Sequence, residues 1–89
     1  MNVASPRLIA GTVLSAAGRP VAQARVFVLA APGARPDVAL LTDADGCFQL
    51  GAPLPGIYEI GAATDGLGSG RVVVVVGPRD VQVQITLGG

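Results

Sequence analysis

The sequence has no histidine, no lysine and no tryptophan, and it has a single cysteine, Cys47. Each absence closes a class of chemistry. Without histidine or lysine there is no ordinary base to activate Cys47 or a serine, so nucleophilic catalysis is not expected. One cysteine cannot form a disulfide within the chain, which excludes a cysteine-stapled secreted miniprotein. Charge is scarce as well: 13% of the 89 residues are charged, against about 25% in an average soluble domain. Six arginines balance six acids, scattered singly. No basic stripe follows a phosphate backbone, so nucleic acid is not an expected partner. No apolar run approaches the ~20 residues of a membrane span, and membrane insertion is not expected. Residues 1–7 carry no apolar stretch of signal-peptide type. The compartment therefore stays open between the cytoplasm, another export route, and membership of a longer chain.

What is present is apolar and punctuated. Hydrophobic residues make up 51% of the chain, with 13 glycines and 7 prolines breaking them into short stretches. The breaks fall at Ala16-Ala17-Gly18-Arg19-Pro20, at the proline-containing 31–37 and 51–56, at Asp43-Ala44-Asp45-Gly46, at the glycine-rich 64–70, and at Gly77-Pro78-Arg79-Asp80. Between them the residues alternate apolar and polar, the pattern of short strands in a small sandwich. Seven strands are predicted, at 8–15, 24–30, 38–42, 47–50, 57–63, 71–76 and 81–87. The fold class is all-β: a seven-stranded antiparallel Greek-key β-sandwich of immunoglobulin-like architecture. The domain division is an N-terminal arm, 1–7, and one sandwich domain, 8–89. Asp-Gly is a strong hairpin-turn signal, so 38–42 and 47–50 are expected to form a hairpin. The 64–70 segment, with three glycines, is expected to be the most flexible.

The alternation also assigns faces. Phe48, Leu50, Tyr58 and Ile60 are expected in the core, with the Tyr58 hydroxyl bonded at the rim. Ala24, Val26 and Val28 are expected to face inward, which turns Arg25, Phe27 and Leu29 outward. Cys47 points opposite Phe48, as a semi-exposed thiol or a contact residue between chains.

Several short motifs resemble one family. They are Ile9-x-Gly11-x-Val13, Gly18-x-Pro20-Val21-x-x-Ala24-x-Val26, Thr42-Asp43-x-x-Gly46-x-Phe48-x-Leu50, Pro53-Leu54-Pro55-Gly56-x-Tyr58 and Val83-x-Ile85-x-Leu87. Over 8–87 the chain resembles the carboxypeptidase regulatory-like domains, related to collagen-adhesin B-type repeats and to the wider transthyretin-like sandwiches. The resemblance implies the sandwich fold and an accessory module beside peptidases, transporters or adhesins, mostly extracellular or periplasmic. It does not supply an activity. The hydroxyisourate hydrolases of the transthyretin group use histidines, and this chain has none. Collagen-adhesin repeats often carry a Lys–Asn isopeptide bond, which a chain without lysine cannot form. Asp43-x-Asp45-Gly46 resembles the start of a calcium loop, but an EF-hand needs a late glutamate and the sole glutamate is Glu59. A turn with Asp43 or Asp45 bonding to backbone amides is the simpler expectation. No enzyme, no cofactor and no metal site is expected. Carbohydrate is a weaker alternative, because sugar platforms need exposed aromatic faces and only Phe27, Phe48 and Tyr58 are available.

The outward faces are where the sequence departs from an ordinary soluble sandwich. The last strand is regular, with Val81, Val83, Ile85 and Leu87 on one side and Gln82, Gln84 and Thr86 on the other. The strand before it, Val72 to Val76, is apolar on both sides. So are 24–30 and 38–41. Zero net charge removes the repulsion that keeps small domains apart. These features point to a structural or interaction module that self-assembles, as a homo-oligomer or filament, or docks into a larger assembly. The expected interface residues are Phe27, Leu29, Leu40, Val73, Val75 and Cys47. A carbohydrate- or peptide-binding accessory domain is the alternative.

Overall fold

A computed structural model describes residues 7–33 and 39–88. The arm expected at 1–7 lies outside the described residues except for Arg7, as do residues 34–38 of the proline-containing connection and the first residue of the third predicted strand. The described residues form seven strands: β1 (Arg7–Leu14), β2 (Arg25–Ala30), β3 (Ala39–Leu41), β4 (Cys47–Ala52), β5 (Gly56–Thr64), β6 (Gly68–Val76) and β7 (Val81–Thr86). They form a three-stranded sheet in the order β4-β1-β7 and a four-stranded sheet in the order β3-β2-β5-β6.

Two expectations about topology are corrected. The ladder is not wholly antiparallel: β1 and β7 run parallel, with Ile9 opposite Val81 and Val13 opposite Ile85. Parallel pairing needs a long connection, and here almost the whole domain separates the two strands. The second correction concerns Asp43–Gly46. It does not join a hairpin, because β3 lies in the four-stranded sheet and β4 in the three-stranded one. The turn chemistry was read correctly and the strand pairing was not. Asp43 Oδ1 accepts hydrogen bonds from the amides of Asp45 and Cys47, both at 2.9 Å. Gly46 has φ 75°, and a Cβ there would meet the Val13 carbonyl oxygen and the Val21 amide nitrogen at 2.9 Å. The turn therefore redirects the chain across the sandwich, locked by an Asp side chain and a glycine.

The real hairpin of this part of the chain is β5–β6. Its pairing runs without interruption from Gly56 opposite Val76 to Thr64 opposite Gly68. The glycine-rich 64–70 segment thus narrows to a tight turn at 65–67 between paired strands.

The core lies between the sheets and follows the alternation. Ile9 and Val13 of β1, Val26 of β2, Phe48 and Leu50 of β4, Tyr58 and Ile60 of β5, and Ile85 of β7 are buried. Burying one such aliphatic side chain stabilises by about 1.5–3 kcal/mol, so these few positions dominate. Phe48 sits opposite Gly11, and its ring fills the space a Gly11 side chain would take, since a Cβ there would fall 2.2 Å from the ring. The Tyr58 hydroxyl donates to the Leu54 carbonyl at 2.7 Å, as expected for a buried ring with a polar tip. Among the described residues Thr42 is the one buried polar residue of the core region: its hydroxyl donates to Val21 O at 2.6 Å and accepts from Ala24 N at 2.9 Å. That pair of bonds ties the chain entering β2 to the end of β3.

Candidate interaction surface

The outer face of the four-stranded sheet is built from the odd-numbered residues of its two central strands and of β6. On β6, Val72, Val74 and Val76 pack on the core, so Arg71, Val73 and Val75 project outward. On β5, inward Tyr58, Ile60 and Ala62 leave Ile57, Glu59 and Gly61 outside. Register places Ile57 beside Val75, Glu59 beside Val73, and Gly61 beside Arg71. On β2, Phe27 lies opposite Gly61. A Cβ on Gly61 would come within 2.5 Å of the Phe27 ring and 3.2 Å of Leu29 Cδ1. The two side chains therefore lie flat over the glycine and bury it from outside.

The result is a largely apolar face, crossed by Arg25, Arg71 and Glu59. Val73 is 61% exposed, Val75 68%, Ile57 61% and Leu41 60%, and Phe27 and Leu29 are half-buried beside them. Single exposed apolar residues are common, as Leu54 and Leu67 on turns illustrate. Ile57, Val73 and Val75, neighbours by register, form a patch, with Phe27 and Leu29 on the same face and Leu41 at its far corner beyond Arg25. The face carries one ion pair, Arg71 to Glu59 at 3.3 Å. A shallow depression of about 470 Å³ beside them is lined by Phe27, Leu29, Gly61, Gly70 and Arg71.

Of the six residues expected at an interface, four fall on this face: Phe27, Leu29, Val73 and Val75. Two do not. Leu40 points inward and packs against the core, because Val26 and Leu40 are register partners and Val26 is fully buried. Cys47 is exposed, but on the outer face of the other sheet. Leu41 and Ile57 also lie on this face and were missed. Ile57 was legible from its place next to inward Tyr58. Leu41 was not, because its orientation depends on pairing with Arg25.

The outer face of the three-stranded sheet has a different character. Rows run Gln49–Ala10–Gln82 and Cys47–Thr12–Gln84 across it. Small residues on the central strand and longer ones on both flanks make a shallow groove of about 580 Å³. The Cys47 thiol lies 3.7 Å from the Asp45 carbonyl and 3.9 Å from Thr12 Oγ1. The aromatic rings are elsewhere: Phe48 and Tyr58 are in the core, and Phe27 is on the opposite face. Among the described residues no group of three or more His, Cys, Asp or Glu side chains is placed to hold a metal ion. Asp43, the first residue of the calcium-like motif, spends its carboxylate on the turn. Among the same residues no helix is long and apolar enough to cross a membrane.

A seven-stranded sandwich of three- and four-stranded sheets, with a core tyrosine locking the crossing before β5, defines a transthyretin-like β-sandwich domain. The chain belongs to the carboxypeptidase regulatory-like domain family, which matches residues 8–88. That family is one of non-catalytic domains. A search of curated proteins finds no match.

Proposed function

We propose that this chain is a non-enzymatic interaction module that associates through the outer face of its four-stranded sheet, with further copies of itself or within a larger assembly. One observation carries the reading: Leu41, Ile57, Val73 and Val75 stand exposed on one face while the opposite outer face is polar. Stable interfaces concentrate apolar area in this way, and zero net charge offers no long-range repulsion against association. Light scattering across a hundredfold dilution tests it. An oligomer of defined mass is the expected result, weakened by Val73→Thr with Val75→Thr while the fold is kept. A monomer of 8.8 kDa at every concentration overturns self-assembly.

A second reading, a carbohydrate- or peptide-binding accessory domain, draws on the groove between Gln49 and the Gln82–Gln84 pair. Neutral amides exchange hydrogen bonds with hydroxyl or peptide groups without selecting for charge. Titration with soluble polysaccharides and with unstructured peptides, followed by the side-chain amide resonances of these three glutamines, tests it. Resonances that stay still throughout remove this reading.

A further inference from the structure

The patch ends at a sheet edge, and the four edges of this sandwich are not alike. Long unprotected edges invite pairing, and proteins usually shorten them, charge them or break them with proline. Strand β3 has three residues. Strand β4 carries Gly51 near its end and is followed by Pro53. Strand β7 carries exposed glutamines. Strand β6 has nine residues, five consecutive valines and no proline.

The phase of β6 can be read from its upper end. Ser69 gives its amide to Gly88 O at 3.3 Å and receives the Gly88 amide at 2.9 Å. Ser69 therefore turns its backbone groups away from β5. Alternate residues of a strand present both groups to the same side. It follows that the N–H and C=O of Arg71, Val73 and Val75 point to the free edge. These are the residues whose side chains also form the outer apolar row. Above them the edge is sealed: a Cβ on Gly70 would lie 2.2 Å from the Thr86 carbonyl oxygen, so β6 and β7 touch there. Among the described residues, nothing pairs with the edge below.

We infer that the occupant of this edge is the β6 strand of a second copy, paired antiparallel about a two-fold axis at Val73. This rests on the interaction reading above and names its partner and register. Side-chain charge selects the register. An axis at Arg71 sets two guanidinium groups face to face. An axis at Val73 pairs Val73 with Val73 of the copy and Arg71 with Val75 of the copy. The two arginines are then four residues apart along the seam, about 13 Å, beyond the screening length at physiological salt. The seam becomes contiguous valine, flanked on each side by Ile57 and bounded by one Arg71–Glu59 pair per copy. Three facing pairs form about six new backbone hydrogen bonds. On the inner side Val72 meets Val74 of the copy, a β-branched cross-strand pair of the stabilising kind. The contact is isologous, so it closes on itself and consumes the unprotected edge of both chains. The product is a dimer with one eight-stranded sheet.

The test is oxidative cross-linking with mass determination. Cys47→Ser removes the single native thiol, and Val73→Cys or Ile57→Cys is added to that background. Residues facing across such a pair have Cα atoms about 5.5 Å apart, within disulfide reach. The expected result is a dimer by sedimentation equilibrium in which the V73C thiols cross-link on the order of a hundredfold faster than the I57C thiols, because pairing sets a millimolar effective concentration. An oligomer in which I57C cross-links and V73C does not overturns the edge pairing and leaves the apolar face as the contact. A protein that stays monomeric at all concentrations overturns the second copy as occupant. Both substitutions are at exposed positions, and circular dichroism confirms that each variant folds.

Discussion

Each sheet of this sandwich carries one phenylalanine laid across a glycine on the neighbouring strand, and the two pairs face opposite ways. In the three-stranded sheet, Phe48 covers Gly11 from the inside. The ring then belongs to the core, and the outer face is left to Ala10, Thr12, Gln49, Gln82 and Gln84. In the four-stranded sheet, Phe27 covers Gly61 from the outside. There the core is filled by Val26, Ile60 and Ala62 instead, and the aromatic ring is added to a face that already carries Ile57, Val73 and Val75. An aromatic side chain over a strand glycine shields backbone that would otherwise be bare, a device that steadies a sheet. Used inward it makes core. Used outward it makes an apolar surface that a solvated monomer does not need. The difference gives the two outer faces different chemical character, although both sheets are written with the same residue pair.

The largest effects separate the two phenylalanines. Phe48→Ala removes a buried ring and is expected to cost about 3–5 kcal/mol in urea unfolding. Phe27→Ala removes a half-buried ring and is expected to cost about 1–2 kcal/mol in the isolated chain, with an added loss of association that F48A lacks at matched folded concentration. Equal losses of stability, with no change in association for F27A, break the comparison and make Phe27 a structural residue only.

Next come the faces themselves. Val73→Thr with Val75→Thr keeps β-branching and removes apolar area. It is expected to weaken association at least about tenfold, or about 1.4 kcal/mol. Stability of the isolated chain should stay within about 0.5 kcal/mol, as is usual for exposed sites. The converse change is made on the polar side: Gln49→Val, Gln82→Val and Gln84→Val together. This gives the three-stranded sheet an apolar outer face of its own and is expected to add a second mode of association, seen as mass beyond that of the unaltered protein. No gain in mass means that exposed valines alone do not make a contact, and the weight shifts to the free backbone edge of β6.

Much of this contrast was legible in the sequence, and the part that was not has a physical reason. Side-chain parity along a strand is local, so the inward turn of Phe48, Leu50, Tyr58 and Ile60 and the outward turn of Phe27, Leu29 and Cys47 could be read directly. Sheet membership is not local. Asp43-Ala44-Asp45-Gly46 has the same turn chemistry whether the next strand pairs with the last or crosses to the other sheet. That ambiguity put β3 and β4 in one hairpin and hid the fact that Cys47 lies on the face opposite Val73. Leu40 and Leu41 could not be told apart because 38–41 has no polar residue to set the phase. The pairing of Arg25 with Leu41 and of Val26 with Leu40 sets it, and that is a long-range contact. The glycine at position 61 had no visible partner until β2 and β5 were aligned.

The smallest expected effect lies at the border of the apolar face. Arg71 and Glu59 form the ion pair at 3.3 Å, with the Arg71 side chain 73% exposed and that of Glu59 27% exposed. Exposed pairs of this kind contribute little, so Glu59→Gln is expected to change unfolding free energy by less than about 1 kcal/mol. Its effect on association has a definite sign. Removing the carboxylate leaves the Arg71 charge uncompensated at the edge of the valine seam, once in each copy. Association of the variant should therefore weaken at low salt and recover as salt screens the two guanidinium groups from each other. In the unaltered protein each Arg71 is compensated by its own Glu59, and association should depend little on salt. A Glu59→Gln variant whose association ignores ionic strength places the Arg71 groups far from any shared contact, and so moves the interface off β6.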